Sequence, residues 1–225
     1  GAAVAAVFEL ERERALERAN ASLAVFEVEA KSAKIGYRCR AMTGSFAEAR
    51  DIVGATARLC DITIISQPEP GVEMFDNLLP QEILFQTGRP VLVMPYTFHG
   101  ALRIGRIGIC WDGSRLAARA LWDAMPLLLK ANALTIIAVN EPVSAEASPA
   151  KLAAHLAGLG LPAKTISIQS DRSDVQPTIL SIAADDGLDM LVMGGYGHSR
   201  VQETVLGGVT REMFRSMTVP AMMSH

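Results

Sequence analysis

A diverged internal repeat is the feature of this sequence that most restricts its fold. Residues 60–66 and 188–194 share an aspartate followed by an apolar run, and each is followed by a helical segment and then by an apolar strand entered through a proline. Asp61 and Asp189 lie 128 residues apart. Because a repeat of this length is a whole structural unit, the sequence predicts two units, residues 1–98 and 99–225.

Composition excludes several classes of protein. Half of the residues are apolar and 20% are charged, which is typical of a chain with a buried core and not of a disordered one. The net charge of −3 lacks the basic excess of proteins that bind nucleic acid or anionic membranes. Apolar runs such as 133–139 are far shorter than the roughly 18 residues that cross a bilayer. A cytoplasmic protein without nucleic-acid or membrane partners is therefore expected.

The cysteines and histidines do not predict a metal site. Cys39, Cys60 and Cys110 are odd in number and lack CxxC spacing, so we interpret them as reduced thiols in the core. The histidines outside the glycine-rich segment are scattered, without the spacing of metal ligands.

The second unit alternates strands and helices, which predicts a parallel sheet covered on both faces. Strands are predicted at 104–110, 133–139, 163–168, 188–193 and from 219 onward, and helices at 115–130, 149–159, 175–186 and up to about 217. The first unit begins with a helix over 4–29, whose charged segment 11–18 we interpret as a solvated, salt-bridged face. Its first strand, first helix and second strand have no counterpart in the 225 residues.

A glycine-rich segment between the fourth strand and the last helix of the second unit is the main candidate site. Gly194, Gly197 and Gly207 leave room for backbone N–H groups to approach a phosphate, and the start of the following helix favours an anion. His198 and Ser199 add side-chain donors. The alternative is a turn that only tightens the connection. Neither a P-loop nor a GxGxxG fingerprint is present.

Asp112 is a second candidate, because it follows the first strand of the second unit at its carboxyl end, where open α/β sheets bind ligands. Its carboxylate could accept hydrogen bonds from ribose hydroxyls or an adenine amino group. The alternative is that it caps the next helix together with Gly113 and Ser114. Asp112 would lie beside the glycine-rich segment if the strand order reverses between the first and fourth strands.

These residues resemble the universal stress protein family. The resemblance is carried by Asp112-Gly113-Ser114 after a strand, by Gly194-x2-Gly197-x9-Gly207 and by the last strand entered through Val219-Pro220. It implies an α/β fold of two tandem Rossmann-like units, each an open parallel sheet with helices on both faces, packed as an intramolecular pseudo-dimer. A homodimer is left open. It also implies that the second unit binds ATP, with or without Mg²⁺, or another adenine nucleotide, and that the protein is a nucleotide-dependent regulator in stress response.

Carried over by position, the resemblance assigns roles to eight residues. Asp112 would contact adenine or ribose, and Val139 would contact adenine through its backbone. The remaining residues would surround the phosphates: Gly194, Gly197, His198, Ser199, Gly207 and Gly208. Gly208 departs from the family pattern, which has Ser or Thr at that position, so one hydroxyl donor is lost.

The first unit departs further from the pattern. Ser66 replaces Gly194, and Glu69, between Pro68 and Pro70, replaces Gly197. Prolines remove N–H donors and a carboxylate repels phosphate, so this unit is expected to have a structural role only. No catalytic residue is predicted, although slow ATP hydrolysis is left open. The alternative function is a non-nucleotide scaffold whose glycine loop is vestigial.

Overall fold

The computed structural model describes residues 2–68, 79–140, 142, 144–195 and 208–225, with side chains from residue 6 onward. The chain divides into two compact units, Gly1–Ile52 and Val53–His225. The compact unit Gly1–Ile52 contains helix α1 (Ala2–Ser32) and the start of helix α2 (Phe46–Ala57). Exposed ion pairs join Arg12 to Glu9 and Arg14 to Glu11 along α1, which confirms the predicted salt-bridged face.

The compact unit Val53–His225 contains seven strands and six further α-helices among the described residues. The strands are β1 (Thr63–Ser66), β2 (Val91–Met94), β3 (Arg106–Cys110), β4 (Ala133–Val139), β5 (Ala163–Ile168), β6 (Met190–Gly194) and β7 (Ala221–Ser224). The helices are α3 (Leu79–Thr87), α4 (Arg115–Asp123), α5 (Met125–Leu128), α6 (Pro149–Gly158), α7 (Val175–Asp185) and α8 (Val209–Ser216).

All seven strands form one sheet, in the order β1-β2-β7-β6-β3-β4-β5. Every neighbouring pair is parallel except β2–β7, which is antiparallel. This mostly parallel, open α/β sheet with helices on both faces confirms the predicted α/β class. The strand order also reverses at β3, which pairs with β4 on one side and with β6 on the other.

The last two strands of the predicted units pair in matching registers. Ile64 lies opposite Leu92 in β1–β2, and their counterparts in the second predicted unit, Val192 and Met222, lie opposite each other in β6–β7. The antiparallel pair β2–β7 joins the two sets of strands. Strands from both predicted units therefore share one continuous sheet.

Two buried clusters cover the two faces of the sheet, because alternate residues of a strand point to opposite faces. On one face, α3, α7 and α8 pack through side chains such as Leu84, Ile179 and Met213. On the other, α4, α5 and α6 pack through side chains such as Leu121 and Leu156. The burial of both faces explains why strands such as β4 read as continuous apolar runs.

Two expectations from the sequence are wrong in detail. The single helix predicted over 115–130 is two helices, α4 and α5, with Ala124 between them. Pro126 lies in the first turn of α5, where its missing N–H costs nothing, whereas inside a continuous helix it would remove a hydrogen bond and clash with the preceding turn. Cys60 is exposed and is not a core thiol.

Candidate functional site

A cleft of about 150 Å³ opens at the carboxyl ends of the central strands, where the strand order reverses. It is enclosed by the ends of β3, β4 and β6 and by the first turns of α4, α7 and α8. The described lining residues are Cys110, Trp111, Asp112, Ser114, Leu116, Ala117, Ile137, Val139, Val175, Ile179, Met193, Gly194, Gly208, Val209 and Thr210. Four predicted site residues, Asp112, Val139, Gly194 and Gly208, thus come together from three distant parts of the sequence.

Asp112 lies in the turn between β3 and α4. Its Oδ1 accepts a hydrogen bond from the Ser114 N–H at 2.8 Å, and Gly113 has a φ of +76°, a conformation that favours glycine. Ser114 is the residue that caps α4, because its Oγ accepts the Ala117 N–H at 3.1 Å. The capping role that was an alternative for Asp112 therefore belongs to Ser114, and the exposed carboxylate of Asp112 stands at the rim of the cleft.

Val139 is the last residue of β4. Along this strand, the Ile137 carbonyl accepts the Trp111 N–H on the β3 side, and the Asn140 N–H donates to the Ile168 carbonyl on the β5 side. Backbone groups alternate between the two sides, so the N–H and C=O of Val139 face the β3 side. Because β3 has ended at Cys110, these two groups face the cleft and could recognise the edge of a planar base.

Gly194 ends β6 against the first turn of α4. A Cβ at this position would lie 2.8 Å from the Ala117 nitrogen and 2.8 Å from the Leu116 carbonyl carbon. Both are backbone atoms, so a side chain could enter only if the helix moved away from the strand. The packing of α4 on β6 is therefore sufficient reason for a glycine here, whatever the cleft binds.

Gly208 lies at the N-cap of α8. Its backbone is extended (φ −77°, ψ 139°), as in an ordinary N-cap, and glycine itself has no side chain to cap the helix. The helix begins at Val209, and the buried Thr210 lines the cleft in its first turn. The helix dipole gives that side of the cleft a partial positive charge. The remaining predicted site residues, Gly197, His198, Ser199 and Gly207, lie outside the described residues.

Apart from the hydroxyls of Ser114 and Thr210, the other side chains of the described cleft wall are mainly apolar, and Asp112 is the one charged side chain among them. Burial raises the pKa of the Cys110 thiol to about 12, and the negative charge of Asp112 adds to the rise. The thiol is therefore neutral and forms part of the apolar wall. Trp111 is fixed at the rim because its Nε1–H donates to the Ala147 carbonyl at 2.7 Å. An apolar slot with a carboxylate at its rim and a helix start across it suits a flat heterocycle attached to a polar, anionic group.

Comparison with known proteins assigns the family. The universal stress protein family model matches residues 103–225, more than half of the chain and the whole segment that builds the cleft. The chain belongs to the universal stress protein family. A universal stress protein of Synechocystis sp. is 24% identical over 157 residues, which are 63% of this chain and 49% of that protein. The chain thus spans about half the length of this curated relative.

Solved structures support the same fold. A universal stress protein from Archaeoglobus fulgidus is 19% identical, with a TM-score of 0.69, over 92% of this chain and 76% of that one. A functionally unknown protein from Pseudomonas aeruginosa is 16% identical, with a TM-score of 0.60, over 91% of this chain and 77% of that one. At these identities the likeness concerns the fold alone.

The cleft is also lined by apolar residues that the sequence analysis did not assign to a site. Ile137, Val175, Ile179 and Met193 are ordinary members of apolar strands and helices. Their chain positions give no sign of the cleft, because only the strand order brings them together. A partial signal existed for Val175, since the first turn of a helix that follows a parallel strand lies at the carboxyl edge of the sheet.

In the part of the chain that the structure describes, the first predicted unit lacks the strand arrangement that encloses the cleft of the second. The counterpart of β6 is β1, and β1 is an edge strand, with no neighbour where β3 pairs with β6. Ser66 and Gln67 follow the pattern of Gly194 and Gly195, whereas Glu69 lies outside the described residues.

The described residues of this universal stress protein contain no group of three or more His, Cys, Asp or Glu side chains arranged to hold a metal ion. They also contain no helix with the length and apolar character needed to cross a membrane.

Proposed function

We propose that this universal stress protein binds ATP or another adenine nucleotide in the cleft of the second unit and acts as a nucleotide-dependent regulator in a stress response. One observation carries the proposal: Asp112, Val139, Gly194 and Gly208, which the family pattern assigned to a nucleotide, all line the same cleft.

The nucleoside would occupy the apolar part of the cleft. The adenine would lie among side chains such as Ile137 and Ile179, with its polar edge at the backbone of Val139. The free oxygen of the Asp112 carboxylate would accept ribose hydroxyls, since Oδ1 is already held by Ser114. The phosphates would lie at the start of α8, where N–H groups and the helix dipole favour an anion. Mg²⁺ would arrive bound to the phosphates.

We further propose that residues 1–98 and 99–225 are two universal stress units packed as a pseudo-dimer, with the first in a structural role. The matching registers of β1–β2 and β6–β7 support this organisation, as does the antiparallel pairing of β2 with β7. No catalytic residue is proposed. The described cleft offers no positioned general base beyond Asp112, whose carboxylate would be engaged by the sugar.

A scaffold without a nucleotide is the second candidate, and the geometry of Gly194 favours it. Since close packing of α4 accounts for this glycine, part of the glycine pattern exists without any ligand. Under this alternative the shared sheet would be the functional feature, and the cleft would be vestigial.

The test begins with the purified protein, which is denatured so that its supernatant can be searched for adenine nucleotides by mass spectrometry. Titration calorimetry with ATP then compares the wild type with D112A and with the control D171A, which removes an exposed carboxylate beyond the end of β5. Micromolar binding that is lost in D112A and kept in D171A would support the proposal. An empty supernatant together with no heat at millimolar ATP would overturn it in favour of the scaffold.

A further inference from the structure

Gln67 joins the end of β1 to helix α8, 147 residues further along the chain. The side chain is 3% exposed, and its Nε2 donates a hydrogen bond to the Phe214 carbonyl at 3.0 Å. Its Oε1 accepts the Tyr96 N–H at 3.2 Å. Both ends of the amide are therefore occupied, one by α8 and the other by the segment that follows β2.

The Phe214 carbonyl needs a partner from outside its own helix. It lies beyond the last hydrogen bond of the helix, which the Met217 N–H donates to the Met213 carbonyl. Gln67 supplies that partner. Since α8 is eight residues long, about two turns, a hydrogen bond at its last turn also restrains the position of its first turn at the cleft.

The position of Gln67 has a counterpart in the other predicted unit. The Gln67 N–H donates to the Met94 carbonyl at 2.7 Å, and the Gly195 N–H donates to the Ser224 carbonyl at 2.8 Å, which is the same bond at the end of β6. A Cβ at Gly195 would meet the Leu84 side chain of α3, and Leu84 is the counterpart of Phe214. Where the second predicted unit has Gly195 beside Leu84, the first predicted unit has Gln67, whose side chain is hydrogen-bonded to Phe214.

We propose that Gln67 is a positioning residue for the nucleotide site: it holds α8 so that the first turn of this helix faces the phosphates. The inference rests on the proposed function, because it concerns the same cleft. The first unit, which has lost its own glycine pattern, would thereby support the site of the second unit through one buried amide.

The test uses Q67M, which keeps the length and unbranched shape of the side chain but makes neither hydrogen bond. Q67E is the second variant, because it keeps an acceptor for Tyr96 and presents an acceptor, not a donor, to Phe214. L152A, which removes buried methyl groups from α6 on the opposite face of the sheet, is the destabilised control. Affinities for ATP and for adenosine are measured by calorimetry, and hydrogen exchange is followed in a peptide covering 208–217.

Both Q67M and Q67E are expected to bind ATP about tenfold more weakly and adenosine equally well, since only the phosphates would depend on α8. Exchange in 208–217 should rise while exchange in β4 and β5 stays unchanged. L152A should leave both affinities and the exchange of 208–217 as in the wild type. Unchanged ATP affinity, an equal loss for adenosine, or unchanged exchange in 208–217 would overturn the inference.

Failure of the proposed function gives a different result. In that case the wild type would bind neither ATP nor adenosine, and exchange in 208–217 would still decide whether Gln67 holds the helix. Exchange that stays at the wild-type level in Q67M would then refute the positioning role itself.

Discussion

Leu92 and Met222 lie opposite each other in the antiparallel β2–β7 pair, and each is the counterpart of the other in the predicted repeat. On either side of them the pairing is reciprocal: Val91 lies opposite Met223, the counterpart of Val93, and Val93 lies opposite Ala221, the counterpart of Val91. A contact about a twofold axis has this property, since residue i meets j and j meets i. The register therefore supports the proposed pseudo-dimer, whose local axis would lie between Leu92 and Met222.

This central position leads to a prediction about stability. Leu92 is 3% exposed, so L92A should lower the free energy of unfolding by about 2–5 kcal/mol. The matched control is I64A on the neighbouring edge strand, where Ile64 lies opposite Leu92 but is 64% exposed; its cost should stay below about 1 kcal/mol. Urea unfolding measures both. Similar losses in the two variants would show that β2 is not a buried strand of a continuous sheet.

Gly194 gives a second prediction, which separates packing from ligand binding. G194A should destabilise the protein by about 1–3 kcal/mol, because its Cβ meets backbone atoms of α4 that cannot rotate away. G158A is the control, since a Cβ at this helical glycine meets nothing within 4 Å and should stabilise α6 by up to about 1 kcal/mol. Urea midpoints of the ligand-free proteins decide the matter. A G194A midpoint equal to that of the wild type would contradict the close approach of α4.

The contrast between Gly194 and Asp112 shows what the sequence could predict. Strand and helix alternation predicted the doubly wound sheet, and it brought Asp112 to the carboxyl edge near β6. The reason for the glycine at 194 depends on how closely α4 approaches β6, which is a distance between segments about 80 residues apart that no local pattern encodes. Likewise, the choice between Asp112 and Ser114 as the helix cap depended on an offset of only two residues in the turn.

Gln67 lay further outside what the sequence could predict. Its partners, Tyr96 and Phe214, are backbone groups, which carry no residue-specific signal. Pro126 is a sequence signal for a helix break. The apolar periodicity continues across this proline, however, and it favoured one helix where the structure has α4 and α5. Long-range pairing and backbone partners thus account for most of what the patterns missed.

Gly208 provides a third prediction. The residue already has the extended backbone of an N-cap, so G208S would add a hydroxyl that can accept an N–H of the first turn of α8. We expect G208S to be more stable than G208A by about 1 kcal/mol, because the two variants share the cost of a Cβ and differ only in the hydroxyl. The ATP affinity of G208S should also exceed that of G208A. Equal urea midpoints for the two variants would mean that α8 does not begin at this residue.

Cys110 gives a prediction about pH. Its pKa is raised from 9.0 to about 12 by burial and by Asp112, so the folded protein keeps the thiol protonated where the unfolded chain loses its proton. The stability that this difference contributes is complete below pH 9 and is lost as the pH rises toward 12. The free energy of unfolding should therefore fall between pH 7 and about pH 10 by more in the wild type than in C110A, which has no thiol to titrate.

Alkylation offers an independent measurement, because the exposed Cys60 should react with iodoacetamide at pH 8 while Cys110 stays unmodified until the protein unfolds. Modification of both cysteines at the same rate, or an identical pH dependence in C110A, would show that the thiol is not enclosed in the wall of the cleft.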